Sequence, residues 1–262
     1  MRFKGTRTTG KFNRTPTDGD ARLIADHSTL PLRAWRAFRD RGPRYAWHKT
    51  LRRALSPWPA LKRRLVYADP REYWTLRGGL DYFREQEGQA ARSERAQIVA
   101  EKIARYRPLS ILEVGCGYGK QLRALRKHLP RTVPLSGVDF SPTQLEFARE
   151  YLKNDGPIPL FLAEGERLPF ADQSFDLVFT SAVVLHHPAE VADRIRLELL
   201  RVARRFVAHN EDTDVSYNRY GHDTAGWYRA RGIPLAESGP LPILGDPLAP
   251  SSQFCVAIPC RS

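Results

Sequence analysis

The segment Ile111-Leu112-Glu113-Val114-Gly115-Cys116-Gly117-Tyr118-Gly119-Lys120 constrains this chain more than any other. An apolar run enters three alternating glycines and leaves into a helix-forming stretch. Glycines at such a point permit a tight turn and let a ligand come close to the backbone. A strand-to-helix turn of this kind belongs at the carboxyl edge of a parallel sheet, where open α/β folds bind their ligands. The spacing excludes two common nucleotide loops. A dinucleotide G-x-G-x-x-G pattern would need glycine at position 120, which is Lys120, and a phosphate-binding loop needs four residues between its glycines and then Lys-Ser/Thr.

The flanking sequence repeats the same alternation. Apolar runs predict strands over 109–114, 133–138, 158–162, 175–181, 205–208 and 253–259. Between them, helices are expected over 120–127, 142–153, 188–204 and 224–231, after an amphipathic helix over 90–106. Ser141 as N-cap, Pro142 at the first helical position and Gln144 at the capping-box position mark one helix start. Val191, Ile195, Leu199 and Val202 form one apolar stripe of the longest helix. Strands alternating with helices at this spacing predict a doubly wound α/β sheet. A Pro-rich connector is expected before the last strand.

Charge divides the chain. Of the formal net charge of +13, residues 1–70 carry 17 Lys+Arg against 5 Asp+Glu, whereas residues 71–262 are close to neutral. The expected organisation is a basic N-terminal extension over 1–70 and a second domain over 71–262. The first 20 residues read as flexible, without the apolar stretch of a secretory signal. Helical periodicity over 30–67 breaks near Gly42-Pro43 and Ser56-Pro57, with Trp35 and Phe38 on one face and Trp47, Leu51 and Leu55 on another. Three cysteines make no disulfide framework, which suggests a reducing, cytoplasmic setting.

The pattern E-x-G-x-G-x-G, with the motifs that follow it over about residues 90–210, resembles the class I S-adenosylmethionine-dependent methyltransferases. Val138-Asp139-Phe140-Ser141 matches the end of the family's second strand, Ala163-Glu164-Gly165-Glu166 the loop after the third, and Asp172–Val178 with TSAVVLHH the fourth strand and its exit. The resemblance implies a seven-stranded Rossmann-like methyltransferase sheet and S-adenosylmethionine as cofactor. It places Glu113, Gly115, Cys116, Gly117 and Gly119 in the glycine loop, Asp139 and Phe140 beside the ribose, Glu164 and Gly165 beside the adenine, and Ser181 near the methionine amine. Glu164 stands where the family usually has Asp. Tyr73, Trp74, Arg77 and Tyr82 resemble an aromatic segment that lids the cofactor, with Arg77 as a partner for its carboxylate.

Methyl transfer from a sulfonium chiefly requires an aligned nucleophile and exclusion of water, and a hydroxyl nucleophile profits from a general base. Candidates at the carboxyl ends of the strands are His186, His187, His209 and Glu211; no ligand spacing supports a metal site. Tyr217, Asn218, Tyr220, Gly221 and His222 form a polar-aromatic stretch where acceptor specificity is expected. The absence of an Asn/Asp-Pro-Pro-Tyr/Phe run after the fourth strand argues against base amines or glutamine as acceptors. A hydroxyl of a small-molecule or glycan-like acceptor is the leading expectation. The basic extension leaves open an RNA or ribosome substrate, through counterion release, and an anionic membrane contact with a lipid-linked acceptor.

Overall fold

The computed structural model describes residues 30–241 and 251–260. The expected flexibility of residues 1–20 and the placement of the Trp35 side chain lie outside what it describes. Helix α1 (Leu30–Ala54) bends at Gly42, where φ is 83°, before Pro43 restarts it. Helices α2 (Pro59–Val66), α3 (Pro70–Arg77), α4 (Leu80–Glu87) and α5 (Ala90–Ala104) follow. Asp69 caps α3 by accepting from the Arg71 and Glu72 backbone N–H groups.

The sheet then begins. β1 (Ile111–Val114), α6 (Lys120–His128), β2 (Leu135–Asp139), α7 (Pro142–Leu152) and β3 (Leu160–Leu162) lead outward to one edge. β4 (Phe175–Ser181), α8 (Ala189–Val202), β5 (Ala203–Asp212), the small hairpin β6 (Val215–Ser216) and β7 (Arg219–Tyr220), α9 (Thr224–Ala230), β8 (Leu235–Pro240) and β9 (Ser252–Ala257) complete it. The strand order is β3-β2-β1-β4-β5-β9-β8; β1 to β5 are parallel, and β9 runs antiparallel between β5 and β8. The chain reverses its direction of winding between β1 and β4, and in open α/β sheets the ligand crevice forms outside that switch point.

Two apolar layers sandwich the sheet. Ile103, Leu122, Leu125, Leu145 and Leu152 fill the side covered by α5, α6 and α7. On the other side Ile195, Leu199 and Val202 of the predicted α8 stripe pack with Tyr228 of α9, and Val191 is half-buried beside them. A third cluster joins Leu55, Val66, Tyr67 and Tyr73 to Tyr217 and Tyr220, so the helices on both sides of residue 70 rest on the β6–β7 hairpin.

Three local expectations change. Trp47 is exposed, whereas Leu55, just past the end of α1, is buried, so the two do not form one buried face. Ser141 does cap α7 through the Gln144 N–H at 3.3 Å, yet no capping box closes. The Ser141 N–H donates to Asp139 Oδ1, and the Gln144 side chain accepts from the Gly79 N–H instead. The Pro-rich connector contains a strand, β8. As the sheet's edge it tolerates Gly239 and Pro240, which a central strand would exclude.

Candidate functional site

A cavity opens at the carboxyl ends of β1, β2, β4 and β5, with its floor made by the glycine loop. Gly115 has φ of 75°, and a Cβ there would stand 2.3 Å from Val183 Cγ2, so no side chain fits between the β1 turn and the β4 exit. Gly117, at φ of 53°, turns its N–H onto Asp139 Oδ2 at 2.8 Å. The loop and the end of β2 are thus locked together by one carboxylate, whose other oxygen holds the Ser141 N–H at 2.8 Å. A carboxylate offers about four acceptor positions, so Asp139 retains capacity toward the cavity. Burial pushes its pKa up to about 6, against the pull of these backbone donors.

Glu113, Gly115, Cys116, Gly117, Asp139, Phe140, Glu164, Gly165 and Ser181 all line this cavity. Gly119 instead caps α6 from the left-handed region and stands behind the wall. Burial raises Glu113 well above the ordinary carboxylate range, with Asp139 adding to the effect. Glu164 is half-exposed and meets Arg71 of α3 at 2.7 Å.

The wall also contains Gln121, Arg95 and Asp212, which the sequence had not singled out. Ser181 Oγ receives the side-chain amides of Asn210 at 2.9 Å and Gln121 at 3.4 Å. Glu113 Oε2, Gln121 Oε1 and Asn210 Oδ1 are buried acceptors with no hydrogen-bond partner among the described residues, and all three residues face this cavity. Buried acceptors without partners are costly, and their convergence marks a place for a donor-rich ligand group. Nearby, Asp212 accepts from Arg95 at 2.8 Å and from Ser252 Oγ at 2.7 Å. Gln121 carried a readable signal, a polar residue on the first turn after the glycine loop. Arg95 and Asp212 carried none beyond their position near strand and helix ends.

The candidate bases separate cleanly. His186 lines the cavity; its Nδ1 lies 2.6 Å from the Asn218 carbonyl, which can only accept. Nδ1 therefore bears the hydrogen and Nε2 the lone pair. Burial lowers its pKa to about 3, so the ring is neutral, and Trp74 packs edge-on against it at 4.6 Å. His187 also lines the cavity, with burial lowering its pKa to about 4.

His209 and Glu211 are not in the cavity, which corrects the expectation for both. β5 sends alternate side chains to opposite faces. Asn210 and Asp212 take the cavity side, and His209 and Glu211 the side of α8 and α9. There, Thr180 Oγ1 donates to Glu211 Oε1 at 2.7 Å and accepts from His209 Nδ1 at 2.8 Å, while Tyr228 O–H donates to His209 Nε2 at 2.7 Å. Glu211 also accepts from the Val183 and Leu185 N–H groups, which pins the single helical turn Val184–His186.

Arg77 is the other correction. Trp74 and Tyr82 of the aromatic segment do form cavity wall, but Arg77 ends α3 pointing at α4, buried in an ion pair with Glu85 and lying over the Tyr82 ring. The guanidinium groups in the wall are those of Arg92 and Arg95 from α5 and Arg219 from β7. In the polar-aromatic stretch, Asn218 orients His186, Tyr217 O–H meets Tyr73 O–H at 2.8 Å, and His222 Nε2–H donates to the His187 carbonyl.

This strand order, glycine turn and acid-bearing β2 define the class I S-adenosylmethionine-dependent methyltransferase fold. Residues 111–207 match the sequence model of the methyltransferase domain family. Among curated relatives, it is 35% identical to methyltransferase GfsG of Streptomyces halstedii over 36% of this chain and 34% of that protein. It is 29% identical to O-methyltransferase rstn1 of Aspergillus nomiae over 50% of this chain and 55% of the other. The chain thus spans about a third to a half of the length of these relatives. The magnesium protoporphyrin IX methyltransferase of Synechocystis, solved with bound SAH, shares the fold at a TM-score of 0.56 and 16% identity, over 73% of this chain and all of that one.

Proposed function

We propose that the protein transfers a methyl group from S-adenosylmethionine to a hydroxyl of a small-molecule acceptor, with His186 Nε2 receiving the proton. The residues present fit the cofactor. Asp139 keeps acceptor capacity for ribose hydroxyls, and the unpartnered oxygens of Glu113, Gln121 and Asn210 suit an ammonium group. When bound, S-adenosylmethionine supplies a methyl group made electrophilic by its sulfonium.

The observation that carries the acceptor reading is the fixed tautomer of His186. Its Nδ1–H is committed to Asn218, so Nε2 carries the ring's lone pair, on a residue that lines the cavity. A pKa near 3 makes it a weak base but guarantees that it is unprotonated. Weak basicity suffices here, because an attacking hydroxyl becomes strongly acidic as the new C–O bond forms. Trp74, Tyr82 and Gln86, from α3 and α4, stand in the same wall and help to exclude water, which favours a small acceptor over a macromolecule. The curated relatives, one of them named an O-methyltransferase, support the same reading.

Titration calorimetry with S-adenosylmethionine tests the first half: absence of binding to the folded protein would overturn it. For the second half, hydroxylated compounds are screened for release of S-adenosylhomocysteine. With an accepted compound, His186→Ala should lower kcat by about 10²–10³-fold while leaving cofactor affinity within a few fold. An unchanged kcat would remove His186 from the chemistry.

A further inference from the structure

Between Arg41 and Tyr67 the chain has eight Lys and Arg residues and no Asp or Glu. The same stretch presents large apolar side chains to solvent. Trp58, Leu61 and Leu65 recur at three- and four-residue spacing on the outer face of α2 and its N-cap, with exposures of 59%, 43% and 52%. Trp47 on α1 is 68% exposed. Arg53 on α1 and Arg64 on α2 are exposed and form no ion pair with any described residue. The inner face of α2 is fully engaged. Lys62 covers the Tyr217 ring at 3.9 Å, and Arg63 covers Tyr220 while donating to the carbonyls of Ser216 and Arg219. The helix is therefore held firmly with its apolar face outward, one layer from the hairpin that orients His186.

We infer that the outer face of α2, with Trp47, is an interfacial docking surface for an anionic lipid bilayer. Aliphatic and indole side chains on an acid-free basic stretch that leaves Arg53 and Arg64 unpaired are what such a surface takes up, the apolar groups entering the headgroup boundary and the arginines meeting lipid phosphates. Other occupants fit less well. A second copy would bring the same acid-free basic surface against itself. The chain's own residues 1–29 hold six Lys and Arg against three Asp, so they too are repelled. RNA would engage the cations but gains little from exposed leucines. The acceptor chemistry proposed above is not needed for this inference.

The test uses the full chain in flotation with vesicles of phosphatidylcholine containing about a third phosphatidylglycerol, against phosphatidylcholine alone. The wild-type protein should float with the anionic vesicles only. The combined variant Trp58→Ser, Leu61→Ser, Leu65→Ser should lose at least about ten-fold in partitioning. Its melting temperature and calorimetric affinity for S-adenosylmethionine should match the wild type, since these side chains are exposed. Arg53→Gln with Arg64→Gln should weaken partitioning several-fold and reduce its dependence on salt. Failure of the wild type to float overturns the proposal, as does equal flotation of the apolar variant. A wild-type dimer in sedimentation that the apolar variant abolishes would assign the face to a second copy instead. Calorimetry without vesicles reports on the cofactor site independently, so failure here is separable from failure there.

Discussion

The two faces of β5 carry the same kinds of side chain and do different work. His209 and Glu211 lie on the α8–α9 side, where every polar atom of the Thr180, His209, Glu211 and Tyr228 chain has a protein partner. Asn210 and Asp212 lie on the α5–α6 side. There Asn210 Oδ1 is left without a partner, and Asp212 sits between Arg95 and Arg219 beside open space. A polar group that is completely satisfied inside the protein has nothing left for a ligand. One that is buried but unsatisfied is a place where a ligand contributes binding energy. Hydrogen-bond completeness, rather than residue type or closeness to the sheet edge, separates the closed His209–Glu211 network from Asn210, whose unpartnered oxygen is the one the proposed function assigns to a ligand.

The largest effect expected from this contrast is on the satisfied face. Glu211→Ala leaves Thr180 and two backbone N–H groups buried without an acceptor, and should cost about 3–5 kcal/mol of stability. Urea unfolding at neutral pH measures it, and Glu211→Gln, which keeps one acceptor oxygen, should cost less. Cofactor affinity of the remaining folded protein should change little. If Glu211→Ala instead lost cofactor with stability intact, the assignment of the two faces would be reversed.

The open face should respond in the opposite sense. Asn210→Ala removes an acceptor oxygen facing the cavity and one donor to Ser181, and nothing else in the core depends on that side chain. Affinity for S-adenosylmethionine should fall by about ten-fold, or about 1.4 kcal/mol, with stability changed by less than that. Calorimetry and thermal melting on the same sample read both. A loss confined to stability would place Asn210 with His209 as architecture.

The sequence made the sheet legible because its evidence is local: apolar runs, a glycine turn and a capped helix each report on their own residues. The floor of the cavity was legible for the same reason. The choice between His209–Glu211 and Asn210–Asp212 was not, although alternation along a strand is as regular as any pattern in the chain. Alternation says that the two pairs face opposite ways, but only the surrounding layers say which way the cavity lies. The run His209-Asn210-Glu211-Asp212 is polar at all four positions, so no apolar residue marks the parity. Arg77 failed differently. A cation in an aromatic segment was expected to meet the cofactor, but helix α4 brought Glu85 to it first, and a long-range partner of that kind leaves no trace in spacing. β8 was hidden by its glycine and proline, which an edge position allows and a connector equally permits.

Protonation offers the most selective effect. Burial lowers the pKa of His209 to about 3, against 6.5 for a free imidazole. Its folded-state value is depressed, so its contribution to stability is complete above pH 6.5 and is lost as pH falls toward 3. Over that interval the unfolded chain takes up a proton that the native state does not, which lowers stability by about 1.4 kcal/mol per pH unit for one histidine. His186 and His187 act in the same direction, with values near 3 and 4. Asp139 opposes them, because its value is raised to about 6 and the native state binds its proton first as pH falls. The total slope therefore mixes both faces of the sheet, and a variant is needed to isolate one. His209→Gln can still donate to Thr180 and accept from Tyr228 but does not titrate. Between pH 6 and pH 4 its unfolding free energy should fall less steeply than that of the wild type, by about 1.4 kcal/mol per pH unit. Because His209 lies outside the cavity, saturating S-adenosylmethionine should leave that difference in slope unchanged. A difference that vanishes with cofactor bound would mean that the satisfied face is coupled to the site after all.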